Sequence, residues 1–450
     1  TPPKISFHFD KDDKNSQTQN WSTYFEQLAT PKQMQHFDDD HSNHTELKLL
    51  LLRDLVPKAD PPTMEAGLVT RYIKRLKANK APDVYGISAE HLKEADPIII
   101  PLISQAVTKI YRTQQIPDTL KLGIITPIFK KKKDKHDPDN YRRITVNSII
   151  GKIIDKDMVP PTRIAVAHSQ NNRQFGFKPN ISCVNAALVL TEALMEAKDR
   201  KQPVYLSFMD TSKAFDQVSH KVLLCGIQKQ GVDGPLWHLY DSAYTNIRST
   251  VKWNNQVSDE KPEKQGIRQG NETSADAFNT RADPMLDTLN AHPDGFKIGD
   301  INVAGIMVAD DLLISSTTPH GLQNLVNIAQ TDASRQRYLF SDSKTKIQRI
   351  RPITLNGEAL ETSEEEVHLG LQRRSDLSNK STIQSRIKTG RGTVYSLMGA
   401  GLYGLNGVGP KVCLKLIDTY VIPRMTYGLE CLPLTSAELE PMETYYRELL

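Results

Sequence analysis

Short apolar runs that end in acid stand out in the hydrophobic pattern of this chain. Val204-Tyr205-Leu206-Ser207-Phe208-Met209 reads as a buried strand and stops at Asp210. Ile306-Met307-Val308-Ala309 and Leu312-Leu313-Ile314 are also strand-like, joined by the adjacent pair Asp310-Asp311. Two apolar runs joined through two acids predict a tight β-hairpin with both carboxylates at its tip. Upstream, Ile124-Ile125-Thr126-Pro127-Ile128-Phe129 and Tyr141-Arg142-Arg143-Ile144-Thr145-Val146 predict two strands around a charged loop that opens with Lys130 to Lys133. That segment predicts a hairpin presenting cations at its tip.

Elsewhere the spacing turns helical. Leu47, Leu50 and Leu51, then Ile73 and Leu76, suggest helices between Glu46 and Lys80. Ala81-Pro82-Asp83-Val84-Tyr85-Gly86 is a turn cluster, and Ser88-Ala89-Glu90 predicts a capped helix start. After Ser381 the positions of Ile383, Ile387, Val412, Leu414, Leu416 and Ile417 fit helical faces. Residues 1–45 are polar apart from Trp21-Ser22-Thr23-Tyr24-Phe25, and read as a loosely held lead-in docked through those aromatics. Helices mixed with short, unevenly spaced strands predict an α+β chain.

At 450 residues the chain exceeds one ordinary domain, and 38% hydrophobic with 24% charged residues is a globular composition. Lys and Arg number 57 against 53 Asp and Glu, a formal charge of +4 that neither demands nor excludes a nucleic-acid partner. The four cysteines, Cys183, Cys225, Cys413 and Cys431, are scattered without zinc-ligand spacing and read as reduced thiols. No run approaches the roughly 18 apolar residues of a membrane span, so no membrane partner is expected. The start at Thr1 and the stop at Leu450, inside a helix-like stretch, suggest a piece of a longer polyprotein.

A sheet is a poor place for uncompensated acids, so Asp310-Asp311 calls for a partner. Mg²⁺, a hard cation bound by carboxylate oxygens, is the simplest candidate. With Asp210 from a neighbouring strand there are ligands enough for two ions about 3.5–4 Å apart. Taken alone, an Asp-Asp dipeptide between apolar runs is more often a solvated turn.

The order of the surrounding residues changes that balance. Phe208-Met209-Asp210-Thr211-Ser212-Lys213-Ala214-Phe215-Asp216 resembles the first palm motif of reverse transcriptases. Gly266-Ile267-Arg268-Gln269-Gly270 with Ser274 and Phe278-Asn279 resembles the second, and Val308-Ala309-Asp310-Asp311 the third. Lys344-Thr345-Lys346 and His368-Leu369-Gly370-Leu371 resemble the fourth and fifth. Asn79-Lys80-Ala81-Pro82-Asp83, Pro127-Ile128-Phe129-Lys130, Asn140-Tyr141-Arg142 and Gln174-Phe175-Gly176-Phe177 are similar to finger motifs of the non-LTR retrotransposon (LINE-type) branch. There are departures. Val308 stands where Tyr is usual, Arg143 where Pro follows the Tyr-Arg pair, and Asn271 to Asp276 replace a Pro-rich turn.

The resemblance implies a right-hand polymerase fold: a lead-in over 1–60, fingers over 61–200, a palm with an antiparallel sheet over 201–375 and a helical thumb over 376–450. It implies RNA-directed DNA synthesis in the nucleus on an RNA template from a DNA primer and dNTPs. Asp210, Asp310 and Asp311 would hold two Mg²⁺ ions (or Mn²⁺), and an endonuclease region would lie elsewhere in the parent polyprotein. Phe215 would be the gate against a ribose 2′-hydroxyl, with Asp216 structural. Lys130 and Arg142 would clamp the triphosphate, Gln269 and Gly270 would line the nucleotide pocket, and Lys344 or Lys346 would protonate pyrophosphate. Leu369, Gly370 and Leu371 would grip the primer, and Arg386, Lys388 and Arg391 would face duplex phosphates. Two rivals remain: a domesticated, non-catalytic RNA-binding protein of the same fold, and an RNA-dependent RNA polymerase, against which Phe215 argues.

Overall fold

The computed structural model describes residues 14–59, 63–95, 97–130, 133–348, 353–403 and 407–449. The first thirteen residues of the lead-in, and Lys131 and Lys132 of the basic run, lie outside the described residues. The strands that matter are β1 (Leu122–Phe129), β2 (Tyr141–Asn147), β3 (Tyr205–Asp210), β4 (Arg248–Trp253), β5 (Gly305–Val308), β6 (Asp311–Ser316), β7 (Lys346–Gln348), β8 (Glu365–His368) and β9 (Leu371–Arg374). The helices used below are α1 (Lys14–Leu28), α2 (Asp39–Leu55), α3 (Ile149–Val166), α4 (Cys183–Asp199), α5 (Thr273–Ala291) and α6 (Lys380–Met398). The mixture is α+β, as the spacing predicts.

The chain divides into two compact units. The first comprises the chain up to Asn171, Thr211–Pro284 and Thr331–Leu339. Its sheet is built on β1, antiparallel to β2 and parallel to β4. Alternate burial along β1 and β2 gives one face to the core, and the expected pairing of the two strands around the loop is present. The aromatic anchor also holds. Trp21 is fully buried, stacked on Phe25 with ring centroids 5.6 Å apart and edge-on to Tyr141 at 4.7 Å, and this cluster includes Ile125 and Val251 of the sheet. Residues 14–28 are therefore a helix built into the core and not a loose segment, because its three aromatic rings, Trp21, Tyr24 and Phe25, bury more apolar surface than the polar flanks suggest. On α2 the face is reversed from the simplest reading: Leu49 and Leu52 are buried, while Leu47, Leu50 and Leu51 are exposed.

The second unit comprises Asn172–Asp210, Met285–Gln330 and Phe340–Leu450. Its sheet runs, in order, Glu361–Thr362, β7, β3, β6, β5, with β3 antiparallel to both neighbours. A capping box at Ser182 starts α4, whose Ala186, Leu190, Ala193 and Ala197 share a core with Leu206, Ile306, Val308 and Leu313. Small residues at helical spacing let that helix approach the sheet closely. Val308, the position where Tyr is usual in the resembled family, is part of this core and only 9% exposed. A second core joins Ile383 and Val394 of α6 to Val421, Met425, Met442 and Tyr445, which confirms the helical reading of the C-terminal stretch. Among the described residues no helix is long and apolar enough to cross a membrane. All four cysteines are free thiols.

Candidate active site

Antiparallel register brings the acids of the second unit together. Asp210 ends β3 directly opposite Asp311, the first residue of β6. Asp311 in turn pairs with Val308, leaving Ala309 and Asp310 as a two-residue turn. Opposed residues in an antiparallel pair share one face of the sheet with Cβ atoms about 5 Å apart. Asp210 and Asp311 thus stand opposite each other at one end of the β3–β6 pair, with Asp310 in the adjoining turn.

The electrostatics show the strain of that meeting. Asp311 is pushed up to about 6, by burial first and then by the charges of Asp310 and Asp210, against a lowering by Lys344. Its side chain is exposed at the tip, so crowding by like charge carries more of this shift than the burial suggests. Lys344 Nζ donates to Asp210 Oδ2 at 2.8 Å. The backbone delivers it there: Ser341 N–H donates to Asp210 O at 2.8 Å, and Thr345 N–H closes the following turn on Ser341 O. Lys346, the other candidate of that motif, lies on β7 and pairs with Glu361.

The donor set suits a hard divalent cation in chemistry, since it is all carboxylate and short of positive charge. Its geometry is not yet that of a metal centre. Among the described residues no three His, Cys, Asp or Glu side chains are gathered closely enough to hold an ion. The Lys344 ammonium instead occupies the place on Asp210 that a cation would take.

Beneath the turn lies Gln174-Phe175-Gly176. Phe175 enters the α4 core, and Gln174, with no exposed surface, turns its amide to the backbone of Ala309. The motif resemblance marked this segment without assigning it a contact. Nothing in its spacing ties it to a turn more than 130 residues away.

The predicted grip residues form a second hairpin of this unit, β8 and β9, with Leu369 and Gly370 at the turn. Both have left-handed φ, +52° and +81°, the conformation of a type I′ turn. Arg373 Nη1 and Nη2 tie β9 to Thr191 Oγ1 and Ala187 O of α4 at 2.9 and 3.0 Å. Arg386 donates to Gly370 O and lies 4.8 Å from the Tyr427 ring centre. Arg386 is thus tied to the hairpin through one N–H of its guanidinium. Arg391 lies over Tyr445, while Lys388 is exposed.

The remaining predicted residues belong to the first unit. Phe215 is half-buried and stacks on the fully buried Phe278, centroids 4.9 Å apart and planes 8° from parallel. A ring backed in this way has one fixed orientation. Lys130 Nζ donates to Asp139 O at 3.1 Å, and Arg142 is exposed on β2. Gln269 O accepts from Thr145 N–H at 3.3 Å. Gly270 has φ +147°, and a Cβ there would meet Thr145 O at 2.7 Å. The close approach this glycine permits is to β2.

Two departures from the resembled motifs have partners. The Arg143 side chain is 4% exposed and pairs with Glu263, with Asp216 3.7 Å away; Arg268 bonds the same Glu263 at 2.7 Å. Burial raises the Asp216 carboxyl and Arg143 lowers it, which fits the structural role expected for Asp216. In the segment after Gly270, Asp155 accepts from the N–H groups of Glu272 and Thr273 and from the Thr273 hydroxyl, at the start of α5. Burial pushes Asp155 up to about 6 in spite of those bonds.

Comparison with known proteins adds to this geometry. Residues 130–372 match the family described as "Reverse transcriptase (RNA-dependent DNA polymerase)". The chain is 25% identical over 253 residues to the "Retrovirus-related Pol polyprotein from type-2 retrotransposable element R2DM" of Drosophila melanogaster, covering 56% of this chain and 23% of that protein. It is 30% identical over 205 residues to the "Probable RNA-directed DNA polymerase from transposon X-element" of the same organism, covering 45% and 22%. Against the "Retrovirus-related Pol polyprotein from type-1 retrotransposable element R2" of Popillia japonica it is 22% identical over 350 residues, covering 72% and 46%. The chain spans less than half the length of each of these relatives.

Proposed function

The chain belongs to the reverse transcriptase (RNA-dependent DNA polymerase) family, with its α+β right-hand fold, and from that premise we propose that it extends a DNA primer on an RNA template. The observation that carries this reading is the register of the second unit's sheet, which opposes Asp210 to Asp311 with Asp310 at the adjoining turn. In this reading Asp210, Asp310 and Asp311 hold two Mg²⁺ ions, or Mn²⁺, once Lys344 leaves Asp210. Bound there, the ions would activate the primer 3′-hydroxyl and stabilise the leaving pyrophosphate. The displaced Lys344 ammonium becomes the proton donor to pyrophosphate.

The chain's other residues bind and orient. Phe215, fixed against Phe278, excludes a ribose 2′-hydroxyl and selects dNTPs. Lys130 and Arg142 meet the triphosphate, and Gln269 and Gly270 line its pocket. Leu369, Gly370 and Leu371 grip the primer. We assign fingers to 61–200, palm to 201–375 and thumb to 376–450, with the work done in the nucleus as part of a longer polyprotein.

The Lys344–Asp210 pair favours a non-catalytic RNA-binding scaffold, since it neutralises a ligand without metal. Primer extension on an RNA template, with dNTPs or rNTPs and with Mg²⁺ or Mn²⁺, separates the readings. DNA products lost on Asp210→Asn support the polymerase. RNA binding without extension under either metal overturns it.

A further inference from the structure

The turn that carries Asp310 has little reason of its own to hold its shape. A two-residue hairpin with positive φ only at its first turn position usually has Gly there, whereas here Ala309 takes the left-handed φ of +58°. Like charge at Asp210, Asp310 and Asp311 pushes the tip apart, and β5 is the last strand of its sheet.

Gln174 supplies what the turn lacks. Its Oε1 accepts from Ala309 N–H at 3.1 Å, and its Nε2 donates to Ala309 O at 3.3 Å. One side-chain amide therefore pairs with both backbone groups of the strained residue, as a neighbouring strand would. The same Oε1 accepts from Gly176 N–H at 2.8 Å, which fixes the amide's own orientation. Backbone pairing continues on either side: Phe175 N–H donates to Met307 O at 2.8 Å and Met307 N–H to Arg173 O at 2.9 Å. Gly176 packs so closely that a Cβ would collide with the backbone N and Cα of Ala309. The fully buried side chain at position 174 cannot drift into solvent.

We infer that Gln174 is a positioning residue, which sets where the Asp310 and Asp311 carboxylates stand by clamping the backbone of Ala309. This rests on the reading of those carboxylates as metal ligands. It assigns the clamp to a residue that touches neither metal nor substrate. Partners of this kind behind metal ligands typically change affinity by about 10- to 100-fold when removed.

The test compares the parent chain with Gln174→Met, which keeps the length and loses both bonds, and Gln174→Asn, which keeps the amide but is one methylene short. Mn²⁺ alone is titrated by electron spin resonance, and hydrogen exchange is followed across residues 305–312. Both variants should weaken Mn²⁺ binding by about tenfold and speed exchange at Ala309. In extension, half-saturating metal should rise while the KM for dNTP stays unchanged. A purely structural role would lower the melting temperature without that split. Should Gln174→Met not fold, Gln174→Asn carries the comparison. If the parent binds Mn²⁺ and the variants match it within twofold, the clamp is wrong. If the parent binds no Mn²⁺, the metal reading itself falls, and this inference with it.

Discussion

Two concentrations of charge, one in each unit, are built on opposite terms. Around the buried Arg143 in the first unit, Arg268 and Glu263 are buried and Asp216 half-buried, and the charges balance two against two. At the end of β3 in the second unit, Asp210, Asp310 and Asp311 face the exposed Lys344, so negative charge is left over. A buried group with a missing partner is costly, and folding selects complete sets. An exposed tip tolerates imbalance because water screens it, and that imbalance is what would attract a cation. Structural charge here is hidden and matched, whereas chemical charge is accessible and unmatched.

The comparison breaks first at Asp210. Asp210→Asn should reduce primer extension by roughly 10³-fold or more, as befits loss of several kcal/mol of charge stabilisation. Its melting temperature should not fall, because the tip is short of positive charge. Extension within tenfold of the parent would show that Asp210 is no ligand.

Glu263→Gln should do the reverse. It leaves Arg143 and Arg268 buried without their shared carboxylate, at a cost of about 3–5 kcal/mol in chemical denaturation. Extension per folded molecule should change little. A stable variant with lost activity would move this network into the chemistry.

Phe215→Val comes next, lowering discrimination between dNTP and rNTP by at least about tenfold, within the range that pocket-filling groups contribute. The ratio of incorporation rates reads it directly. An unchanged ratio would return Phe215 to simple packing against Phe278.

Protons offer a gentler probe of the unmatched tip. Asp311 titrates near 6, above the ordinary carboxylate value, so its folded form prefers the proton. The metal-free chain therefore loses the contribution of this group to stability as pH rises through about 6 and regains it on acidification. Asp311→Asn should raise the melting temperature relative to the parent at pH 8, with the difference closing by pH 4. Mn²⁺ binding to the parent should strengthen across the same window, since the ligand must shed its proton.

The smallest effect is expected at Lys344. Removing an exposed ion pair costs little stability, about 1 kcal/mol at most. Lys344→Met should bind Mn²⁺ a few-fold more tightly and extend primers several-fold more slowly. Weaker metal binding would mean that Lys344 organises Asp210 instead of competing for it.

Much of this molecule was legible in local sequence. Period-two burial in Leu122–Phe129, the Asp-Asp turn between apolar runs and the strand ending at Asp210 depend on neighbours a few residues apart, which a linear pattern records. The aromatic cluster near Trp21 announced its own burial in the same way. Side choice did not follow from spacing on α2, where leucines outnumber the positions the core can take and packing decides which are covered.

What only the tertiary structure decided were the long-range pairings. Sequence marked Arg143 as out of place, and the structure supplied Glu263 as its partner, 120 residues on in the chain. Sequence suggested phosphate for Arg386, and the structure added a bond to Gly370 O and a contact with the Tyr427 ring. Gln174 became a clamp only when its strand-like segment lay along β5. A side chain's type states which bonds it can make. Which ones it does make depends on strand register and helix packing, and these are settled by burial summed over the whole fold.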